Sequence, residues 1–312
     1  MSFSIDIQPL FNFHRIRIAD NSLSIHIDII SKGGLLNSWM QGPANNSWDV
    51  IEGNDFEAGW GQFEANGFKS GKMSPFSCRL HKGEFIHEEK AYKLNKFYLG
   101  NHALHGVIYD APFEIVSTAI QPEKASVLLE YNYQNSHEGF PFNYTIQLLC
   151  TLCKENKVTI TTHIINKDQR SFPIMDGWHP YFKLGNTIDD CTLQFVNNGI
   201  LVYDDELIPT GKMNSDPQFE KPKNLTGIEL DNGYHLAGHN PICILENDQY
   251  QLIISPSAAY PYLQLYTPPG RKSIAIENLS GAPDCFNNKM GLHIMQPQDI
   301  WTLETSYQLR YK

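Results

Sequence analysis

Apolar and polar residues alternate one by one along much of this chain. Ile25, Ile27 and Ile29 are interleaved with Ser24, His26 and Asp28, and Val127, Leu129, Tyr131 and Tyr133 with Leu128, Glu130 and Asn132. Val158, Ile160, Thr162 and Ile164 form another stripe, and Leu303, Thr305, Tyr307, Leu309 and Tyr311 a last one near the C-terminus. A period of two places each stripe on one face of an extended strand. Stripes rich in Ile, Val, Thr and Tyr mark half-buried antiparallel strands. Glu246 to Gln249 separate two apolar runs and read as a hairpin turn. No long segment has the helical period, and no strand–helix alternation calls for a parallel sheet. Gly 22 and Pro 18 are scattered throughout, and no linker or compositional break divides the sequence. The pattern predicts an all-β fold, one large antiparallel β-sandwich. Residues 1–312 are expected to form a single domain, with loops carrying the chemistry.

Composition narrows the function. Lys+Arg 24 against Asp+Glu 34 leaves a net charge of -10, so no positive surplus is available to neutralise the phosphates of a nucleic acid. Charged residues are 19% and aromatic residues 12%, a balance suited to a neutral, polar ligand. Six cysteines in 312 residues are too few for a disulfide scaffold. The close pair, Cys150 and Cys153, falls in a strand-like run, where positions three apart point to opposite faces. The N-terminus has an early acid and no basic region leading into an apolar run, and no apolar stretch approaches a membrane span. These features predict a cytoplasmic protein that engages neither membrane nor nucleic acid.

Several stretches join a titratable residue to residues that fix the local backbone, and they read as loops. His179 precedes Pro180, which holds it extended, and Trp178, Tyr181 and Phe182 surround it. Such an imidazole can titrate near neutrality and serve as acid or base, or it is a packed histidine. His105 is followed by Gly106, which permits a tight turn. A metal is not expected, because neither histidine has a second ligand at metal spacing. Glu277 closes a strand with Ala275 and Ser273 on its own face, small neighbours that leave room for a ligand. Asp231 reads as a turn aspartate. Arg79 is either a surface ion-pair partner or a fork of donors for hydroxyls.

In order along the chain, these motifs resemble the aldose 1-epimerase (galactose mutarotase) family. Asn101-x-x-Leu104-His105-Gly106 is similar to the family's Asn-x-Leu-His-Gly loop with one extra residue, and His179-Pro-Tyr-Phe182 to its His-x-Tyr-Phe motif. The run from Tyr262 to Thr267 resembles the strand whose glutamine faces the sugar. Glu277 followed by Pro283-Asp-x-Phe-Asn287 resembles the segment that bears the catalytic glutamate. The resemblance spans about Arg79 to Asn287. It implies a galactose mutarotase-like supersandwich whose open face binds a hexose. It also implies Glu277 as general base, His179 as general acid and His105 as their assistant at the sugar. Arg79, Asp231, Gln264 and Asn101 would then bind hydroxyls, and Trp178 would lie against the sugar. The chain departs from the family at Val107, Cys78 and Leu279, where the family often carries glycine, asparagine and glutamine.

The implied reaction needs little. A base takes the proton of the C1 hydroxyl and an acid protonates the ring oxygen as the C1–O5 bond breaks. The open aldehyde turns about C1–C2, and the ring recloses with the roles reversed. Each positioned donor or acceptor contributes about 10²–10⁴-fold, and the chemistry calls for no cofactor. Three other readings remain at this level: an epimerase-like enzyme for phosphorylated sugars, a noncatalytic sugar-binding protein on the same fold, and a glycoside hydrolase or lyase using paired carboxylates, which the dominant histidines disfavour.

Overall fold

The computed structural model describes residues 2–56, 60, 63, 64, 67–239 and 241–312. The stripes become strands at the expected places: Ile25–Ile30, Lys124–Gln134, Lys157–Asn166 and Ile300–Tyr311. Two large antiparallel sheets dominate. One has nine strands, in the order Glu114–Gln121, Lys124–Gln134, Asn143–Cys153, Lys157–Asn166, Ile300–Tyr311, Tyr250–Pro256, Cys243–Glu246, Thr192–Phe195 and Lys223–Asn224. The other runs Pro209–Asn214, Asn197–Tyr203, Asp231–Leu236, Tyr262–Tyr266, Ile274–Leu279, Gly177–His179 and Gly71–Met73, with Tyr181–Phe182 also paired to Ile274–Leu279. A five-stranded sheet formed by residues 3–49 packs onto the same core. Among the described residues the one α-helix is the single turn Cys285–Asn288.

The core lies between the two large sheets. Phe182 from the eight-stranded sheet meets Tyr307 from the nine-stranded one with ring centres 5.1 Å apart, and Thr305 Oγ1 donates to Asn278 Oδ1 at 2.8 Å. The hairpin turn after Glu246 forms, and Asn247 Oδ1 accepts the backbone N–H groups of Gln249 and Tyr250. Cys150 is buried and Cys153 partly exposed, as alternation along their strand requires.

Three segments differ from the sequence reading. Asp176 to Phe182, expected as a loop, is extended and buried inside the eight-stranded sheet, and its register against Ile274–Leu279 holds on both sides of Pro180. His102–Leu104, also expected in a loop, forms a short strand against Arg79–Leu80. Asp231 opens a strand opposite Tyr266 and is not a turn residue. The first two are short or buried on both faces, and the third opens on Asp-Asn-Gly, a turn-like run, so no alternation announces them.

Candidate active site

The register of the eight-stranded sheet builds the site. Gly177 pairs with Leu279 and Tyr181 with Ala275, so His179 stands opposite Glu277 in the same ladder. Glu277 in turn pairs with Gln264, and Gln264 with Gly233. His179, Glu277 and Gln264 therefore form one row across three neighbouring strands, with side chains on the same face. Two residues along, Tyr181, Ala275, Tyr266 and Asp231 form a parallel row on that face. Directly opposite residues in an antiparallel pair have side chains close enough to interact. Here His179 Nε2 lies 3.3 Å from Glu277 Oε1.

A cleft of about 330 Å³ opens over these rows. Arg79, His105, His179, Asp231, Gln264 and Glu277 all line it. The row ends at Gly233, where a Cβ would come within 2.5 Å of the Tyr203 hydroxyl, 2.7 Å of Leu201 Cδ1 and 3.1 Å of Gln264 Oε1, so a larger residue would push these side chains aside. Arg79 arrives on the short strand Arg79–Leu80. His105 follows the strand paired to it, and its backbone N–H donates to Cys78 O at 3.0 Å. His105 has φ 58, a left-handed conformation uncommon outside glycine. Gly106, at φ 78, lets the chain pass so close to Ser74 that a Cβ would sit 2.2 Å from its carbonyl oxygen. This tight passage aims His105 at His179, the two ring centres 5.1 Å apart and nearly perpendicular.

Polar contacts orient the remaining groups. Tyr203 OH donates to Gln264 Oε1 at 3.0 Å, and Gln264 Nε2 donates to Asp231 Oδ1 at 2.9 Å. The amide is thus fixed by a donor on one side and an acceptor on the other. Cys78 Sγ lies 3.9 Å from Glu277 Oε2. Burial sets the proton balance. Glu277 is 2% exposed, and desolvation, reinforced by the nearby Asp231, pushes its carboxyl well above the usual range. Desolvation also pulls His179 down to about 4 and His105 well below an ordinary histidine. Burial raises Asp231, with Arg79 working against it.

Two predicted residues stand outside the cleft. Trp178 precedes His179 on its strand and so faces the opposite way, into the core, where Lys72 Nζ lies 4.2 Å from its ring centre. Asn101 sits in an exposed turn, with Nδ2 donating to Glu206 at 3.2 Å. Conversely, Tyr203, Tyr266, Phe68, Phe97 and Cys78 line the cleft without having been singled out as binding residues. Tyr266 carried a readable signal, since it lies two residues beyond Gln264 on the same strand. Tyr203 and Phe68 arrive from distant segments and carried none. Among the described residues, no group of three or more His, Cys, Asp or Glu is placed to hold a metal ion, and no helix is long and apolar enough to cross a membrane.

The aldose 1-epimerase family model matches residues 15–308. The chain belongs to the aldose 1-epimerase family. A galactose mutarotase-like protein from Clostridium acetobutylicum superposes with a TM-score of 0.85 at 17% identity, covering 100% of this chain and 99% of that one. A galactose 1-epimerase from Lactobacillus acidophilus gives a TM-score of 0.83 at 17% identity, covering 99% and 98%. The Escherichia coli protein YphB is 24% identical over 254 residues, 77% of this chain and 83% of its own. The fold is therefore galactose mutarotase-like, as the motifs implied.

Proposed function

We propose that this family member is an isomerase that interconverts the α and β anomers of a hexose by acid–base ring opening and closing. The observation that carries the reading is the cross-strand pair of Glu277 and His179, in contact at 3.3 Å in the wall of the cleft. The C1 hydroxyl and the ring oxygen of a sugar are bonded to the same carbon. Two proton-handling groups side by side can therefore serve both atoms without moving. Glu277 takes the C1 hydroxyl proton while His179 donates to the ring oxygen. After rotation about C1–C2, His179 recovers its proton as Glu277 returns one.

Burial drives Glu277 up and His179 down, so each is pushed toward its uncharged form, and the two groups in contact titrate as a pair that can share one proton. The neutral pair and the ion pair are tautomers with the same proton count. Sugar hydroxyls that donate to the carboxylate favour the charged tautomer, from which the reaction proceeds. In sequence, His179 reads as an imidazole that can titrate near neutrality. Burial moves it lower, so turnover should fall on the alkaline side as the pair loses its shared proton and on the acid side as it gains a second.

Arg79, Asp231 and Gln264 supply donors and acceptors for ring hydroxyls, His105 donates or accepts beside His179, and the Tyr181 and Tyr266 rings offer faces to C–H groups. An uncharged sugar suits this lining. A phosphate would sit beside Asp231 and Glu277, with Arg79 the one lysine or arginine among the described lining residues. Glu277→Gln keeps the shape and removes the base. Its turnover on freshly dissolved α-glucose or α-galactose, followed by polarimetry, should fall by about 10²-fold or more. Near-normal turnover in a folded Glu277→Gln protein refutes the assignment.

A further inference from the structure

Behind the cleft, on the opposite face of the same strands, lies a second buried polar row. Lys72, Asp176 and Tyr260 are all 0% exposed. Asp176 Oδ2 accepts from Lys72 Nζ and, at 2.6 Å, from Tyr260 OH. Lys72 Nζ also donates to Thr162 Oγ1 of the facing sheet at 3.3 Å. The Asp176 N–H donates to Ser280 Oγ at 2.9 Å, and the Ser280 N–H returns a bond to Asp176 O at 2.9 Å.

This network does not explain itself as a source of stability. Two charges taken wholly out of water cost several kcal/mol each, and apolar replacements of similar shape are often as stable or more so. Burial pulls Lys72 down to about 8 and pushes Asp176 up, each toward its neutral form. Asp176 Oδ1 has no hydrogen-bond partner among the described residues.

Its location is more informative. Lys72 lies on Gly71–Met73, Asp176 immediately precedes Gly177–His179, Tyr260 precedes Tyr262–Tyr266, and Ser280 follows Ile274–Leu279. The Asp176 carboxylate thus ties the strand that carries His179 to Gly71–Met73 and to the segment leading into the Gln264 strand, while the Asp176 backbone is tied to Ser280 at the end of the Glu277 strand. Gly71–Met73 and Gly177–His179 have three residues each, and Pro180, which has no N–H to donate, interrupts the ladder just beyond His179.

We propose that Lys72, Asp176 and Tyr260 are positioning residues, which hold the His179–Glu277–Gln264 row in register from the far side of the sheet. The inference rests on the assignment of Glu277 and His179 as the proton-transfer pair. Directional bonds supply here what apolar packing cannot, a single lateral placement of adjacent strands.

The test replaces the three ionisable members together, so that no buried charge is left unpaired and only the Thr162 hydroxyl loses a partner. A Lys72→Met/Asp176→Leu/Tyr260→Phe triple variant should melt near the wild-type temperature. Its kcat on α-galactose should fall about tenfold with sugar affinity, by calorimetry, within about twofold, because small misplacements of reacting groups act on turnover. Tyr260→Phe alone, which removes one bond and no charge, should lose about threefold on the same scale. A second readout needs no substrate: the ¹⁵N ring signals of His179, identified by their loss in His179→Asn, should broaden or double in both variants. If the triple variant does not fold, Tyr260→Phe decides by the same two readouts. Wild-type kcat with a single, unshifted His179 signal in a folded variant overturns the proposal. Glu277→Gln measured alongside separates the two failures. Full activity there removes the acid–base assignment, whereas an inactive Glu277→Gln beside fully active network variants removes the positioning role alone.

Discussion

His179, Glu277 and Gln264 stand on one face of the eight-stranded sheet, and Trp178, Asn278 and Leu263, each one residue away, stand on the other. Both rows are buried and both contain polar groups. They differ in what those groups face. On the core side the polar groups bond to one another and face no free volume: Thr305 donates to Asn278, and Lys72 and Tyr260 donate to Asp176. On the cleft side a carboxyl and an imidazole are stripped of water yet open onto free volume. Desolvation moves the titration of groups on both faces, but only the open face can hand a proton to a ligand. Burial alone therefore does not mark a reactive group, whereas burial beside free volume does.

The contrast breaks most visibly at His179. His179→Asn should lower turnover by about 10²-fold while sugar affinity, measured by calorimetry, changes far less, since a hydrogen bond survives and proton transfer does not. The pH profile adds a sign. Below about 4, His179 takes a second proton, the pair loses its acceptor, and wild-type kcat/KM falls. In the variant that acid limb should move to higher pH, because Glu277 alone, pushed up by burial, must lose its proton before it can act as base. Parallel loss of affinity and turnover, with the acid limb unmoved, would make His179 a packing residue like its neighbour.

A smaller effect is expected at the end of the reactive row. Gly233→Ala places a methyl against the Tyr203 hydroxyl and Gln264, and should weaken sugar affinity about tenfold with little change in kcat at saturation. Unchanged affinity would show that the Tyr203–Gln264–Asp231 chain does not contact the sugar. The smallest functional effect belongs to the core face. Trp178→Phe should cost roughly 1–3 kcal/mol of stability in denaturant unfolding and leave affinity and turnover within about twofold. A selective loss of sugar binding would return Trp178 to the cleft.

Trp178 also shows where sequence reading stops. Adjacency to His179 made it look like a sugar platform, but in a strand adjacency along the chain means opposite faces. The long strands were legible because one face of each meets the core and the other meets solvent, as in Lys157–Asn166. Asp176 to Phe182 was not, because both its faces are buried and Pro180 interrupts it. His105, His179, Gln264 and Glu277 were legible through local motifs shared with the family, and Arg79 and Asp231 through shorter ones. The cross-strand contact between His179 and Glu277 depends on a register linking residues about a hundred positions apart, and no local pattern encodes it. Tyr203, which orients Gln264, reaches the cleft the same way.

The central claim is that the Glu277–His179 pair moves protons between a sugar's C1 hydroxyl and its ring oxygen. The direct measurement is anomer exchange of α-galactose and α-glucose by NMR at neutral pH, in a buffer that catalyses mutarotation poorly, with and without purified protein. The account predicts exchange that rises in proportion to enzyme and is abolished by Glu277→Gln. Exchange no faster than in buffer alone, by a protein that calorimetry shows to bind either sugar, would contradict it and leave a sugar-binding protein on this fold.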